Sequence, residues 1–105
     1  MAQFTAYANR NPATQKQYPY LLDIQSDLLS ELKTTVVIPL SPAKLVDTIS
    51  LSRLNPALTL NGEQLIVMTQ DLAGIERRQL GGAAADLSAY RSEIIAALDF
   101  VISGI

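Results

Sequence analysis

Ala57-Leu58-Thr59-Leu60-Asn61-Gly62-Glu63-Gln64-Leu65-Ile66-Val67-Met68-Thr69 carries the clearest local signal in the chain. Asn and Gly both tolerate the positive φ that a two-residue hairpin turn demands, and here they separate two runs of β-forming residues. The stretch predicts antiparallel strands over 57–60 and 64–69 joined at Asn61-Gly62.

The residues before it read the same way. Residues 34–40 (TTVVIPL) are dense in β-formers, residues 18–26 (YPYLLDIQS) bring aromatic and branched side chains, and residues 3–7 alternate. Residues 9–16 are polar and rich in turn formers, so they form a loop. Pro39 has no N–H to give a ladder, which places that end of its strand at an edge or a bulge. Ser41-Pro42 resembles a helix start, Ser as N-cap and Pro at the first position; Leu45, Val46 and Ile49 then give a short helix or helical turns near 42–50.

Beyond the hairpin, residues 75–80 read as a further strand closed by Gly81-Gly82. From Asp86 the period changes to helix. Tyr90, Ile94, Ala97, Leu98 and Val101 make one apolar stripe, Asp86 or Ser88 can cap its start, and Gly104 can end it in left-handed geometry. Ile95 and Ile102 lie on a second flank, which is either the margin of a wide core-facing stripe or a partner surface. The fold class is mainly β (α+β): one domain over 1–105, a small antiparallel β-barrel or sheet with a C-terminal helix.

Composition removes several chemistries. The 105 residues include no Cys, His or Trp, which excludes zinc fingers, thiol chemistry, imidazole base catalysis and disulfide scaffolds. Eight basic against ten acidic residues leave a net charge of −2 and no global basic field for nucleic acid. Residues 1–7 show no secretory pattern, and the apolar run 94–102 is short and interrupted by Asp99. The expected location is the cytoplasm, with no membrane span, cofactor or metal.

Few side chains suggest a reaction. Asp23 reads as a hydrogen-bonded sheet residue and Asp27 as a turn cap rather than as a catalytic pair. Arg77-Arg78, placed on a strand, point to opposite faces and read as a solvated edge. Arg10 and Lys16 share a loop and, with Arg53, form a possible acceptor for an acidic peptide. Leu28-Leu29, between Ser26-Asp27 and Ser30-Glu31, has two readings: a loop tucking two leucines inward, or an exposed apolar contact for a partner.

Several segments taken together are familiar. Gln3-Phe4, Asp23-Ile24-Gln25-Ser26-Asp27-Leu28-Leu29, Val37-Ile38-Pro39-Leu40, Met68-Thr69-Gln70-Asp71-Leu72-Ala73, Asp86-Leu87-Ser88 and Gly104-Ile105 resemble, in the same order, the CcdB toxins of bacterial toxin–antitoxin modules. The resemblance implies an SH3-like antiparallel barrel with a C-terminal helix, of the kind shared by CcdB and the MazF and Kid toxins, assembled as a homodimer. It implies a non-enzymatic toxin that binds the DNA gyrase A subunit and traps the gyrase–DNA cleavage complex. A cognate CcdA-like antitoxin would neutralise it, and operator DNA would be met only through the toxin–antitoxin complex.

Carried onto this chain, the resemblance assigns gyrase binding to Ser26, Leu28, Leu29, Asp99, Ile102, Ser103, Gly104 and Ile105. It assigns antitoxin binding to Asn9, Arg10, Lys16, Arg53, Leu60 and Met68. One departure stands out: the best-known member carries a tryptophan where this chain has Ser103. Two alternatives compete with the gyrase reading. One is an mRNA-cleaving endoribonuclease on the same barrel; the other is a weakened toxin acting mainly as antitoxin partner and co-repressor.

Overall fold

The computed structural model describes residues 2–46 and 53–104. Seven antiparallel strands occur among them: β1 (Thr5–Asn9), β2 (Tyr20–Asp23), β3 (Thr34–Pro42), β4 (Ala57–Leu60), β5 (Glu63–Val67), β6 (Ala73–Glu76) and β7 (Leu80–Asp86). Helix α1 (Arg91–Ser103) follows. The strands curl into a half-barrel ordered β4-β5-β3-β2-β1-β7, with β6 also paired to β3.

The hairpin forms as expected. Leu60 pairs with Glu63, and Asn61 and Gly62 both take positive φ, 51° and 84°, as a two-residue turn requires. Alternation in β4 turns Leu58 and Leu60 inward, where they join Ala6, Leu22, Ile38, Leu40, Leu65 and Val67. Helix α1 lays Ile94 and Ala97, both fully buried, over the barrel, and Ile94 enters this cluster. Neighbouring residues point the other way, so Tyr7, Leu21, Val37 and Leu80 make a smaller cluster.

Phe4, in the turn just before β1, has φ 65°, unusual for a bulky side chain. Its surroundings hold it there: its N–H donates to the Asp23 carbonyl, its carbonyl accepts from Leu87 N–H, and its ring is buried. At the far end of α1, Gly104 adopts φ 73° and donates its N–H to the Phe100 carbonyl, closing the helix as expected.

Several expectations are corrected. Pro39 lies in the interior strand β3, opposite Leu21 and buried. On its other flank β3 pairs with β6 as far as Val37 and with β5 only from Leu40. The Pro39 carbonyl accepts from Met68 N–H on that flank, and N–H and C=O of one strand residue point to the same side. The missing donor therefore falls where β3 changes partner. Ser41 is no helix cap but a buried member of β3 paired with Ile66. A single helical turn, Ala43–Leu45, follows Pro42; the rest of the expected helix, including Ile49, reaches outside the described residues. The strand expected over 75–80 divides into the end of β6, a helical turn at Arg77–Gln79 and the start of β7. Gly81-Gly82 lies inside β7 rather than closing a strand.

Candidate functional site

The resemblance assigned two surfaces. The first begins at a helical turn, Asp27–Leu29, whose start is capped by Ser26: its hydroxyl accepts from Leu28 N–H at 3.2 Å. Asp27 is held from the other side, its Oδ1 accepting from Gln3 N–H at 2.8 Å. The turn leaves Leu28 93% exposed and Leu29 47% exposed, so the pair points out rather than into the core. Leu32, a single leucine between Glu31 and Lys33 with no local pattern to mark it, is also exposed.

The end of α1 supplies the rest. Ile102 is 84% exposed, so of the second-flank pair Ile95 packs against the core while Ile102 faces out. Asp99, Ile102 and Ser103 line a shallow hollow with Ala96 and Arg53. Ser103 Oγ donates to the Asp99 carbonyl at 2.7 Å, within the last helical turn. Arg53 lies over the Phe100 ring, 5.2 Å from its centroid. Gly104 is exposed, and Ile105 lies outside the described residues. Leu28, Leu29, Leu32 and Ile102 can bury apolar area against a partner, at about 25 cal/mol for each Å² removed from water.

The second assigned set is scattered. Asn9 is buried and ties down the first loop: its amide donates to Thr14 Oγ1 and the Tyr18 carbonyl, while its Oδ1 accepts from Asn11 N–H. Arg10 lines an open hollow with Asn11, Arg78 and Gln79. Lys16 is exposed on the same loop. Arg53, by contrast, belongs to the hollow beside α1. Leu60 is 1% exposed and occupied by the core. Met68 is half-buried after β5, its N–H given to Pro39.

Next to the Arg10 hollow is a second one, floored by Leu21, Val37, Pro39 and Ile75 and sharing Asn11 and Gln79 with it. Tyr18 stands at this slot and donates to Asp71 Oδ2 at 3.0 Å; burial first, then that bond and the Asp71 charge, push its hydroxyl pKa up. Arg78 pairs with Glu76 at 2.8 Å, and the hydrogen bond and charge of Arg78 hold the Glu76 carboxyl below its ordinary range.

Arg77 is the residue most misread from sequence. It opens a helical turn, not a strand, and only 15% of its side chain is exposed. Its NH1 faces Asp23 Oδ2 at 3.7 Å, and Asp23 Oδ1 also accepts from Thr35 Oγ1 and Gln25 N–H. Asp23 is thus the hydrogen-bonded sheet residue expected, with an ion pair added. Among the described residues no group of carboxylates, His or Cys is placed to hold a metal ion, and no helix is long and apolar enough to cross a membrane.

The half-barrel with its helix is a fold found in bacterial toxins. An endoribonuclease from a mycobacterial species, solved in complex with its cognate antitoxin, matches with a TM-score of 0.76 at 12% identity, over 97% of this chain and 94% of that one. A second mycobacterial endoribonuclease matches at 0.74 and 13% identity, over 97% and 90%. The Mycobacterium tuberculosis toxin MazF-mt6 gives 0.71 and 12%, over 93% and 95%. Identity this low establishes shared architecture and nothing finer. The sequence itself goes further: residues 3–104 match the CcdB protein family, and the chain belongs to it. It is a toxin of the toxin–antitoxin class.

Proposed function

We propose that this chain is a non-enzymatic toxin that binds the A subunit of DNA gyrase and holds the enzyme in its cleaved-DNA complex. The observation that carries the reading is the CcdB family match over residues 3–104. The outward-facing Leu28 and Ile102 support it, because exposed apolar side chains suit a protein that acts by occupying another's surface. In this reading Ser26 shapes the leucine turn, Leu28 and Leu29 are apolar anchors, and Asp99, Ile102, Ser103, Gly104 and Ile105 form the helix-end contact. The chain works as a homodimer, which would bring two helix ends together.

A cognate antitoxin is the second partner, acting through an extended segment, and its complex with the toxin meets operator DNA. Arg10, beside Gln79 and the Glu76-paired Arg78, sets a cation at the edge of the apolar slot. That arrangement suits a segment carrying carboxylates and a large apolar side chain. The same Arg10 also suits the alternative reading, an RNA-cleaving toxin, since a guanidinium pairs with phosphate as it does with carboxylate. The weakened-toxin reading predicts antitoxin binding without gyrase binding.

A pull-down with the host's gyrase A fragment and, separately, with the antitoxin separates the gyrase reading from both alternatives. Capture of the gyrase fragment, lost on deletion of residues 103–105, is the expected result. Antitoxin capture with no gyrase capture would overturn the proposal.

A further inference from the structure

We infer that Arg77, clamped to Asp23, is a positioning residue that sets how Leu28 is presented to a protein partner. The inference rests on the reading of the Leu28-Leu29 turn as a contact surface and adds a device that controls it. The loop between β2 and β3 packs Ile24 against the core at its start, but the part beyond has no such anchor: Leu28, Leu29 and Leu32 all face outward. Its order must come from polar ties, and Arg77 supplies them at the loop's far side. Its Nε donates to the Leu32 carbonyl at 2.6 Å, its NH2 to the Leu29 carbonyl at 3.2 Å, and its own backbone N–H to the Lys33 carbonyl at 2.8 Å.

The remaining nitrogen, NH1, points back to Asp23 at the end of β2. Asp23 is itself fixed by Thr35 at the start of β3. One planar guanidinium thus joins Asp23 at the end of β2, and through it Thr35 of β3, to the carbonyl that ends the helical turn, Leu29, and to that of Leu32 beyond it. The fork geometry of arginine allows this; a lysine can keep the charge opposite Asp23 but cannot reach two carbonyls and a carboxylate together. Holding the turn in a single conformation before binding removes an ordering cost that association would otherwise include.

Arg77→Lys tests the clamp while leaving a cation beside buried Asp23, and Arg77→Gln repeats it with the charge removed. Three quantities are measured on the full-length chain: amide exchange over residues 27–33, affinity for a gyrase A fragment, and the effect of Leu28→Ala in each background. The expected result for Arg77→Lys is faster exchange confined to that loop, roughly tenfold weaker binding, and a smaller loss from Leu28→Ala than in the parent. Such non-additivity separates positioning of Leu28 from a general loss of stability. If Leu28→Ala weakens binding while Arg77→Lys and Arg77→Gln leave loop exchange and affinity unchanged, or act additively with it, the inference is overturned. If Leu28→Ala binds like the parent, the surface reading itself fails and takes the inference with it.

Discussion

Leu28 and Asp23 are five residues apart in sequence and opposite in surroundings: one almost wholly in water, the other almost wholly out of it. A leucine 93% exposed adds nothing to the core. Leu28→Asp is therefore expected to change unfolding free energy by less than about 0.5 kcal/mol. Its binding to the gyrase fragment should nevertheless fall more than tenfold, read by calorimetry or surface binding. Asp23 behaves oppositely: Asp23→Ala removes the acceptor of the buried Thr35 hydroxyl and the carboxylate facing Arg77, and should cost about 3 kcal/mol in urea unfolding. Ser103→Trp restores the aromatic that the best-known family member carries at this position. An aromatic–guanidinium contact contributes about 1–2 kcal/mol, so tighter gyrase binding by roughly tenfold is the expected change.

At the scale of elements, two glycines show opposite kinds of necessity. A Cβ at Gly62 would meet nothing within 4 Å, but its φ of 84° penalises any L side chain, so Gly62→Ala should cost about 1 kcal/mol. Gly81 has ordinary φ but no room: a Cβ there would lie 2.9 Å from the Ala8 carbonyl oxygen and 3.2 Å from Cγ of Arg10. Gly81→Ala should cost about 1–3 kcal/mol and shift the Arg10 side chain; urea unfolding and antitoxin affinity report the two effects. The start of the helical region responds to pH. Asp86 accepts the Ser88 N–H at 2.9 Å, and that bond holds its carboxyl below the ordinary range. Its folded-state pKa is depressed, so its contribution is complete above about pH 4 and is lost as pH falls through the lower folded value. Asp86→Ala should remove that part of the acid-side slope in unfolding measured against pH.

These elements also show what local chemistry announces. The Asn61-Gly62 hairpin, the buried Ile94 and Ala97 and the Gly104 cap were readable because each is decided within a few residues of chain. Pro39, Gly81 and Arg77 were not. Pro39 is tolerated only because β3 changes partner beside it, and Gly81 is required by the approach of β1, far away in sequence. Arg77 depends on carbonyls contributed from residues 29–33, so its dipeptide with Arg78 reads locally as a solvated edge. Of the assigned site, the exposure of Leu28 and Ile102 agrees with a contact role, whereas Leu60 alternates inward and Arg53 sits apart from Arg10.

The whole molecule is a small half-barrel with an apolar core and several large apolar side chains left outside it. A chain of 105 residues buries only about 60–70% of its unfolded surface, so a second copy would add apolar burial that one chain lacks. Sedimentation should give a dimer. In the proposed function, such a dimer poisons gyrase by contact alone. Its most direct test mixes the purified protein with host gyrase and supercoiled plasmid, then treats the products with detergent and protease. Linear DNA that required covalently attached gyrase, absent when residues 103–105 are deleted, is the predicted result. Intact plasmid at saturating toxin, together with cleavage of a messenger RNA added to the same reaction, would contradict it.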